Sequence, residues 1–306
     1  MATAEKTVLK VGKRELELGG EHLGILREAN AIQDDPEALR ARMAEDGYLF
    51  LRDFHPRAEV EAARRVVLAN LDANGQIDRA YPLDEAVAKE GAKGAFLGGA
   101  QQMTHTPEFL KVVESPRLLA FFDRFFGEPT RTFDYKWLRA VGHGGFTGAH
   151  YDVVYMGRGS TRLFTCWTPL SDISFDLGGL ALLGGSHNLE SYRKLRETYG
   201  RMDVDRDMVG GWFSDDPLEM VTKFGGRWLT SEYRLGDILL FGMFTMHGSI
   251  NNSTHRFRFS TDTRYQPAAD PLDERWIGKQ PKAHYNWSKP DAPKKSMEEA
   301  RKEWGV

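Results

Sequence analysis

The sequence predicts a mainly β protein with flanking helices, built on a double-stranded β-helix core of the jelly-roll or cupin-like kind. Residues 130–267 consist of short β-branched and aromatic runs separated by glycine-rich turns, which is typical of an all-β barrel or sandwich. A histidine–carboxylate pair near the start of this region and a histidine about a hundred residues later could form one site only if a late strand returns beside an early one. The length of 306 residues suits one such domain with added helices.

The N-terminal part, residues 1–129, is predicted to be a mostly helical support for the core. Apolar residues recur at helical spacing across residues 35–74, interrupted by the strand-like run 47–51, and again across residues 107–126. The turn Gly127-Glu128-Pro129 ends the second region. We therefore expect a helix–strand–helix unit followed by a helical pair.

The core region has one long interruption, residues 189–232, which is rich in charges, glycines and aromatic residues. An insertion of this size in a compact β domain is either a substructure of its own or a lid over a functional site, and both interpretations stay open. Residues 268–306, rich in Lys, Pro and Trp, are expected to wrap the surface as a C-terminal extension. The whole chain, residues 1–306, is thus predicted to be a single domain.

The charge balance bears on the partners of the protein. The chain has 41 Lys and Arg against 44 Asp and Glu, a formal charge of -3, and no long basic run, so nucleic acid and membrane surfaces are not expected as partners. The single cysteine, Cys166, lies in an apolar run, which indicates a buried thiol in a reducing compartment. The N-terminus lacks the apolar core of a signal peptide, and no stretch approaches the roughly 18 apolar residues that span a bilayer. A cytoplasmic location is expected, and the oligomeric state is left open.

A metal site is indicated by His150 and Asp152. In a strand, a spacing of two places both side chains on one face, where they can share an ion. His247, just after the strand-like run 236–241, supplies a third ligand. Two neutral imidazoles and one carboxylate leave open positions on the metal, as in non-haem Fe(II) oxygenases. Taken alone, the His-x-Asp pattern is weak, because most isolated histidines are solvated or hydrogen-bonded in a core.

The alternating run from Arg256 to Tyr265 follows His247 after a turn, with one aromatic face and one ionic face. In one interpretation it is an edge strand with its aromatic residues in the core and its arginines in water. In the other, the ionic face points into the barrel, where Arg258 offers a planar fork to the far carboxylate of a dicarboxylate.

Six ordered segments resemble the phytanoyl-CoA dioxygenase-like branch of the 2-oxoglutarate-dependent oxygenases, and together they cover most of the chain. Such an ordered set is far more specific than any one motif. The segments are Glu45–Arg52, His150-Tyr151-Asp152, Trp167–Asp172, Gly178–His187, Gly236-Asp237, and His247-Gly248-Ser249 with Asn252 and Arg258.

The resemblance implies an enzyme that holds Fe(II) through His150, Asp152 and His247. It would use 2-oxoglutarate as cosubstrate and O₂ as oxidant, hydroxylating or otherwise oxidising an unactivated C–H bond of a small molecule and releasing succinate and CO₂. Related halogenases carry Gly or Ala in place of the carboxylate, so Asp152 favours hydroxylation.

The resemblance also implies residues that bind the cosubstrate. The family has an arginine eleven residues after the distal histidine, which selects Arg258, and Ser249 and Trp167 match positions that line the 2-oxoglutarate pocket. Arg139, on the strand before the iron motif, is a further candidate; an exposed strand arginine explains it equally well.

The substrate-binding residues are less well defined. A loop histidine beside the metal strand and several aromatic residues could wall the pocket, which would suggest a substrate with apolar surface. Solvent exposure of the histidine and core packing of the aromatics are the alternatives, and the family does not predict one substrate. The candidates are His143, Tyr155, Trp212, Phe213 and Trp228.

Two rival functions remain at this level. A zinc-type metallohydrolase could use the same His-Asp-His trio to activate water, but it would not need Arg258, Ser249 and Trp167 in family register. A non-catalytic jelly-roll binding protein would retain the fold without turnover, and the intact trio together with the cofactor arginine argues against it.

Overall fold

The computed structural model describes residues 6–92, 95–96, 101–286, 289, 291 and 294–306. The helices are α1 (Pro36–Asp46), α2 (Arg57–Ala73), α3 (Gln101–Thr104), α4 (Pro107–Val113), α5 (Pro116–Phe126), α6 (Val153–Met156), α7 (Arg193–Glu197), α8 (Val204–Asp207), α9 (Pro217–Phe224) and α10 (Met297–Trp304). The strands are β1 (Val8–Val11), β2 (Arg14–Glu17), β3 (Leu23–Ile25), β4 (Tyr48–Leu51), β5 (Ala95–Phe96), β6 (Thr130–Thr132), β7 (Trp137–Val141), β8 (Phe164–Pro169), β9 (Leu180–Gly184), β10 (Arg227–Thr230), β11 (Ile238–Gly242), β12 (His247–Ser249) and β13 (Arg258–Pro267).

Two facing sheets form the core. The larger has the order β4-β11-β8-β13-β7-β5, with β6 also paired to β13, and the smaller has the order β12-β9-β10-β3. An antiparallel bridge between His150 and His247 adds the segment before α6 to the edge of the smaller sheet. From β8 to β13, the chain crosses between the two sheets four times, after β8, β10, β11 and β12, as in a jelly roll. The predicted fold class is confirmed.

The strand β13 has two chemically different faces, and all ten of its residues are buried. Phe259 packs in the cluster formed with α2 and α4, and Tyr265 stacks on α5. The alternate residues point inward, because Asp262 pairs with an arginine of β7 and Arg264 reaches the metal motif. The ionic face of this strand therefore lines the barrel interior, and the edge-strand interpretation is wrong.

Helix α5 shows how the N-terminal helices hold the large sheet. Ser115 caps its first turn, Pro116 occupies the first helical position, and Gly127 ends it in the left-handed conformation at φ 76°. Its buried aromatic stripe includes Phe122, whose ring stacks on Tyr265 of β13 with the ring centroids 4.3 Å apart. Each fully buried phenylalanine contributes about 1.5–3 kcal/mol.

The sequence boundaries need two corrections. Besides its helices and the expected strand β4, the region 1–129 contains β3, which joins the smaller sheet, and β5, which joins the larger. The predicted insertion 189–232 includes β10, which pairs with β9 inside the smaller sheet, so the inserted structure ends before residue 227. The strand β10 has only four residues, follows Gly225-Gly226 and starts at an exposed arginine. Its alternation is too short to be recognised from sequence.

Two further features concern the chain as a whole. Cys166 lies on β8 in the core, and burial raises the pKa of its thiol to about 12, so it remains a neutral apolar group. Of the helices in the described part of the chain, none combines the length and the apolar character needed to cross a membrane.

His55, just before α2, predicts an acid sensitivity of the fold. Its side chain is buried, and neither ring nitrogen has a hydrogen-bond partner among the described residues. Burial, with a smaller effect of Arg117, lowers its pKa to about 4. In the unfolded chain the imidazole of His55 takes up a proton near pH 6.5. The contribution of the neutral His55 to the stability of the fold is therefore complete above that pH and is lost as pH falls towards 4.

Through His55, the wild type is expected to lose about 3 kcal/mol of its free energy of unfolding between pH 7.5 and pH 4. We expect His55→Phe not to show this loss. Urea unfolding of the wild type and the variant at both pH values would measure it. The exposed His255, changed to Gln, serves as the control. Equal pH dependence in wild type and His55→Phe would contradict the assignment.

Candidate metal centre

His150, Asp152 and His247 converge inside the barrel. One ligand atom from each lies within 4.8 Å of the others, and all three side chains are buried. Asp152 Oδ1 is 3.9 Å from His150 Nε2 and 3.7 Å from His247 Nε2. A bridge places His150 beside His247 of β12, and Asp152 follows at the start of α6 in helical conformation, at φ -66° and ψ -27°. The expected strand therefore ends before Asp152. The predicted return of a late strand beside an early one is confirmed.

Backbone carbonyls orient both imidazoles. His150 Nδ1–H donates to the Gly148 carbonyl at 2.9 Å, and His247 Nδ1–H donates to the Thr245 carbonyl at 3.0 Å. With the proton placed on Nδ1, each Nε2 has its lone pair available for a metal. Burial and the neighbouring His247 lower the pKa of His150 to about 3, and burial also lowers the pKa of His247. Both rings are neutral at neutral pH, as metal ligation requires.

The two oxygens of Asp152 have separate partners. Oδ2 accepts hydrogen bonds from the Thr165 hydroxyl and, at 3.1 Å, from the Arg264 guanidinium, whereas Oδ1 faces the imidazoles. Burial alone would raise the pKa of this carboxyl, but Arg264 and the two histidines lower it well below its usual range. Asp152 is therefore ionised and held with one oxygen directed at the metal position.

The sequence did not predict that Thr165 and Arg264 support Asp152. Both occupy inward positions of the alternation, on β8 and β13, and the guanidinium of Arg264 lies 4.3 Å from the centroid of the Trp137 ring. The alternation of β13 contained the signal for Arg264, but only the fold shows which acid it reaches. These two residues orient a metal ligand, and replacing residues in this role commonly lowers metal affinity about 10- to 100-fold.

Arg258 is a buried cation with an unfilled hydrogen-bonding site. Only 1% of the residue is exposed, its guanidinium donates to Ser260 Oγ at 2.6 Å, and its Nε has no partner in the described structure. Burial, reinforced by Arg139, lowers its pKa to about 10. A buried unpaired charge is unfavourable, so this site fits the carboxylate of a ligand.

Ser249 and Trp167 also have free donors facing the interior. The Ser249 hydroxyl accepts from the Thr147 backbone N–H at 2.8 Å, which leaves its own proton to donate. The Trp167 indole N–H is buried without a partner among the described residues, and its ring packs against Tyr233 with centroids 4.7 Å apart. Together with Arg258, these donors fit a dicarboxylate cosubstrate.

Arg139 has a different environment from Arg258. Its guanidinium makes a bidentate ion pair with Asp262, with Nε 2.8 Å from the nearer carboxylate oxygen. The side chain is 25% exposed, so Arg139 is partly buried and paired, unlike the exposed strand arginine of the alternative interpretation. A role in cosubstrate binding stays a prediction for Arg139.

Two of the substrate candidates lie near the metal centre. Tyr155 on α6 directs its ring edge-to-face towards His150, with centroids 5.6 Å apart. Trp212 is 43% exposed, its ring packs 5.8 Å from that of Phe146, and it covers the backbone of Gly148, the residue that holds the His150 imidazole. Both are placed where a substrate could meet them.

Phe213 and Trp228 do not wall this site. In β9, Leu182 pairs with His247 and the next residue, Leu183, pairs with Trp228. Neighbouring residues of a strand point to opposite faces, so Trp228 lies on the far side of the smaller sheet. Phe213 belongs to the same outer cluster. Both residues pack in the core, as the alternative explanation of these aromatics describes.

His143 lies on the surface. Its ring stacks on His255 with centroids 5.2 Å apart, and its Nδ1 is 3.0 Å from the Thr254 carbonyl. These contacts match the solvent-exposed loop histidine of the alternative interpretation.

The fold and the site together define a class: a jelly-roll oxygenase with a two-histidine, one-carboxylate iron centre. The model of the phytanoyl-CoA dioxygenase (PhyH) family matches residues 43–260, and the chain belongs to this family. It is an iron(II)- and 2-oxoglutarate-dependent dioxygenase.

Individual relatives agree with this assignment. The 1-deoxypentalenic acid 11-beta-hydroxylase of Streptomyces exfoliatus is 28% identical over 259 residues, covering 78% of this chain and 83% of that protein. The carbocyclase SnoK from nogalamycin biosynthesis superimposes with a TM-score of 0.56 at 20% identity, covering 88% and 97% of the two chains. EctD from S. alaskensis, crystallised with 2-oxoglutarate and 5-hydroxyectoine, gives 0.55 at 17% identity, covering 94% and 98%. The two structures support the fold.

Proposed function

We propose that this dioxygenase hydroxylates an aliphatic carbon of a small, largely apolar molecule while 2-oxoglutarate is converted to succinate and CO₂. The observation that carries the proposal is the convergence of two Nε2 atoms and one carboxylate oxygen in a barrel that also contains the buried cation Arg258, whose Nε has no partner among the described residues. Bound iron would supply the activation of O₂ and the oxidising power. The protein would hold the metal, seat the cosubstrate and orient the target carbon.

Arg258 would bind the far carboxylate of 2-oxoglutarate. Its free Nε and the adjacent guanidinium nitrogens form a fork that matches a carboxylate, and the negative charge would offset the cost of burying the cation. The hydroxyl of Ser249 and the indole N–H of Trp167 would donate further hydrogen bonds. The zinc hydrolase alternative offers no use for this set of donors.

The substrate is proposed to be apolar with few polar groups. Tyr155 and the exposed Trp212 present aromatic surface beside the metal centre. The name of the Streptomyces exfoliatus relative specifies hydroxylation of 1-deoxypentalenic acid, an organic acid, which makes compounds of this kind the first choice for a substrate screen.

The location and the partners are also proposals. We place the protein in the cytoplasm, supported by a single cysteine that is buried in β8 and suits a reducing compartment. The net charge of -3 supports small molecules as its ligands in preference to nucleic acid.

The function can be tested in two stages. Anaerobic titration of the Fe(II)-loaded protein with 2-oxoglutarate should produce the visible charge-transfer absorption of a chelated oxoacid. Admission of O₂ with a panel that includes 1-deoxypentalenic acid and ectoine should then release succinate and yield a product heavier by one oxygen atom. Folded, iron-loaded protein that does not bind 2-oxoglutarate would overturn the oxygenase assignment and favour the hydrolase or the binding protein.

A further inference from the structure

The segment after β13, residues 268–286, forms a strap that begins beyond the family match, which ends at residue 260. A wholly buried arginine, Arg275, fixes it. The guanidinium pairs with Asp273 on the strap and with Asp205 of α8 at 2.7 Å, and it donates to the backbone carbonyl of Tyr155 at 2.8 Å. The strap is therefore attached both to the insertion and to the short helix that follows the metal-binding aspartate.

His284 lies near the end of the strap and faces Tyr155. Its Nδ1 is 2.9 Å from Asp205 Oδ2, and its ring packs against Trp276 with centroids 4.9 Å apart. The His284 ring centroid is also 5.7 Å from that of Tyr155, and the Tyr155 centroid is 5.6 Å from that of the metal ligand His150. The Tyr155 ring thus contacts both the strap and the metal centre.

The insertion also contacts the phenol of Tyr155, through the backbone of Gly211. A Cβ atom added to Gly211 would lie only 1.8 Å from the Tyr155 hydroxyl, so the backbone of this glycine packs directly on it. The Gly211 carbonyl already accepts the hydroxyl of Tyr199. The Tyr155 hydroxyl itself makes no hydrogen bond within the described part of the chain. A positioned donor without a partner next to a metal centre is suited to bind a ligand atom.

We propose that the strap forms the substrate-selecting wall of the active site, in which His284 positions Tyr155 and the phenol donates a hydrogen bond to an oxygen atom of the substrate. The inference rests on the proposed function and narrows its substrate class to apolar molecules with a carbonyl, carboxylate or hydroxyl oxygen near the oxidised carbon. Tyr155 is the substrate contact, and His284 is a positioning residue that acts through it.

The first experiment needs no substrate. Nitration of tyrosines by tetranitromethane, followed by peptide mass spectrometry, reports the accessibility of the Tyr155 phenol. We expect His284→Ala to raise the nitration rate of Tyr155 several-fold. His284→Asn, which can keep a hydrogen bond to Asp205, should stay closer to the wild type. Tyr285→Phe, at an exposed neighbour on the strap that contacts Arg158, is the matched control and should leave the rate unchanged.

The second experiment uses the first compound of the panel that is turned over. Tyr155→Phe is expected to raise KM about tenfold with little change in kcat, since it removes one substrate hydrogen bond. His284→Ala should raise KM similarly in the wild type and have no further effect in the Tyr155→Phe background.

The outcomes separate this inference from the proposed function. Unchanged nitration of Tyr155 in His284→Ala, or equal effects of His284→Ala in both backgrounds, would overturn the role of the strap. Loss of 2-oxoglutarate binding by the wild type would instead refute the proposed function, and the nitration result would still decide whether His284 positions Tyr155.

Discussion

Asp152→Ala is expected to abolish hydroxylation and to weaken Fe(II) binding by more than about 100-fold, since replacing residues that merely support a metal ligand already costs about 10- to 100-fold. The variant lacks the one anionic ligand and also leaves the buried cation Arg264 without its partner at 3.1 Å. Competition with a metal-sensitive dye would measure the affinity, and circular dichroism would show whether the variant is folded.

The control for Asp152 is Thr165→Val. It removes one hydrogen bond to Oδ2 and leaves the ligand oxygen Oδ1 in place. We expect a smaller loss of iron affinity than in Asp152→Ala, with measurable turnover. Wild-type iron affinity in folded Asp152→Ala would contradict the assignment of the metal centre.

Arg258→Met is expected to weaken 2-oxoglutarate binding on the order of 100- to 1,000-fold, because two charge-assisted hydrogen bonds to a carboxylate are lost. The same change should stabilise the ligand-free protein. Burial lowers the pKa of Arg258 from 12.5 to about 10, so its charged form costs about 3 kcal/mol in the fold at neutral pH. Methionine fills similar space without a charge.

This pair of opposite effects distinguishes a binding residue from a structural one. Calorimetric titration with 2-oxoglutarate and urea unfolding of the ligand-free protein would measure them. Arg256→Met, two residues earlier and exposed, is the matched control and should change neither quantity appreciably. Unchanged 2-oxoglutarate affinity in Arg258→Met would show that the cosubstrate carboxylate binds elsewhere.

Local sequence determined the parts of the site that depend on strand periodicity. The alternation of β13 separated its arginines from its aromatic residues. The spacing of two also identified His150 and Asp152 as ligands of one metal, although Asp152 lies at the start of α6 in helical conformation, at φ -66° and ψ -27°, and not in a strand. The sequence separation between His247 and Arg258 spans only one turn and one strand, so the resemblance to the family was enough to identify Arg258. These features need no knowledge of distant contacts.

Only the tertiary structure decided which face of each strand meets the metal and which meets the core. Trp228 and Phe213 are aromatic residues of the kind that line pockets. The register of β10 against β9, however, places Trp228 behind the smaller sheet. Thr165 supports Asp152 because β8 passes beside it. His284 reaches Tyr155 across more than a hundred residues of sequence, through a buried ion cluster that no local pattern indicates. Periodicity is encoded locally, whereas contacts between distant segments depend on how the sheets pack. This is why the sequence predicted the metal ligands but not Thr165 and Arg264, which support one of them.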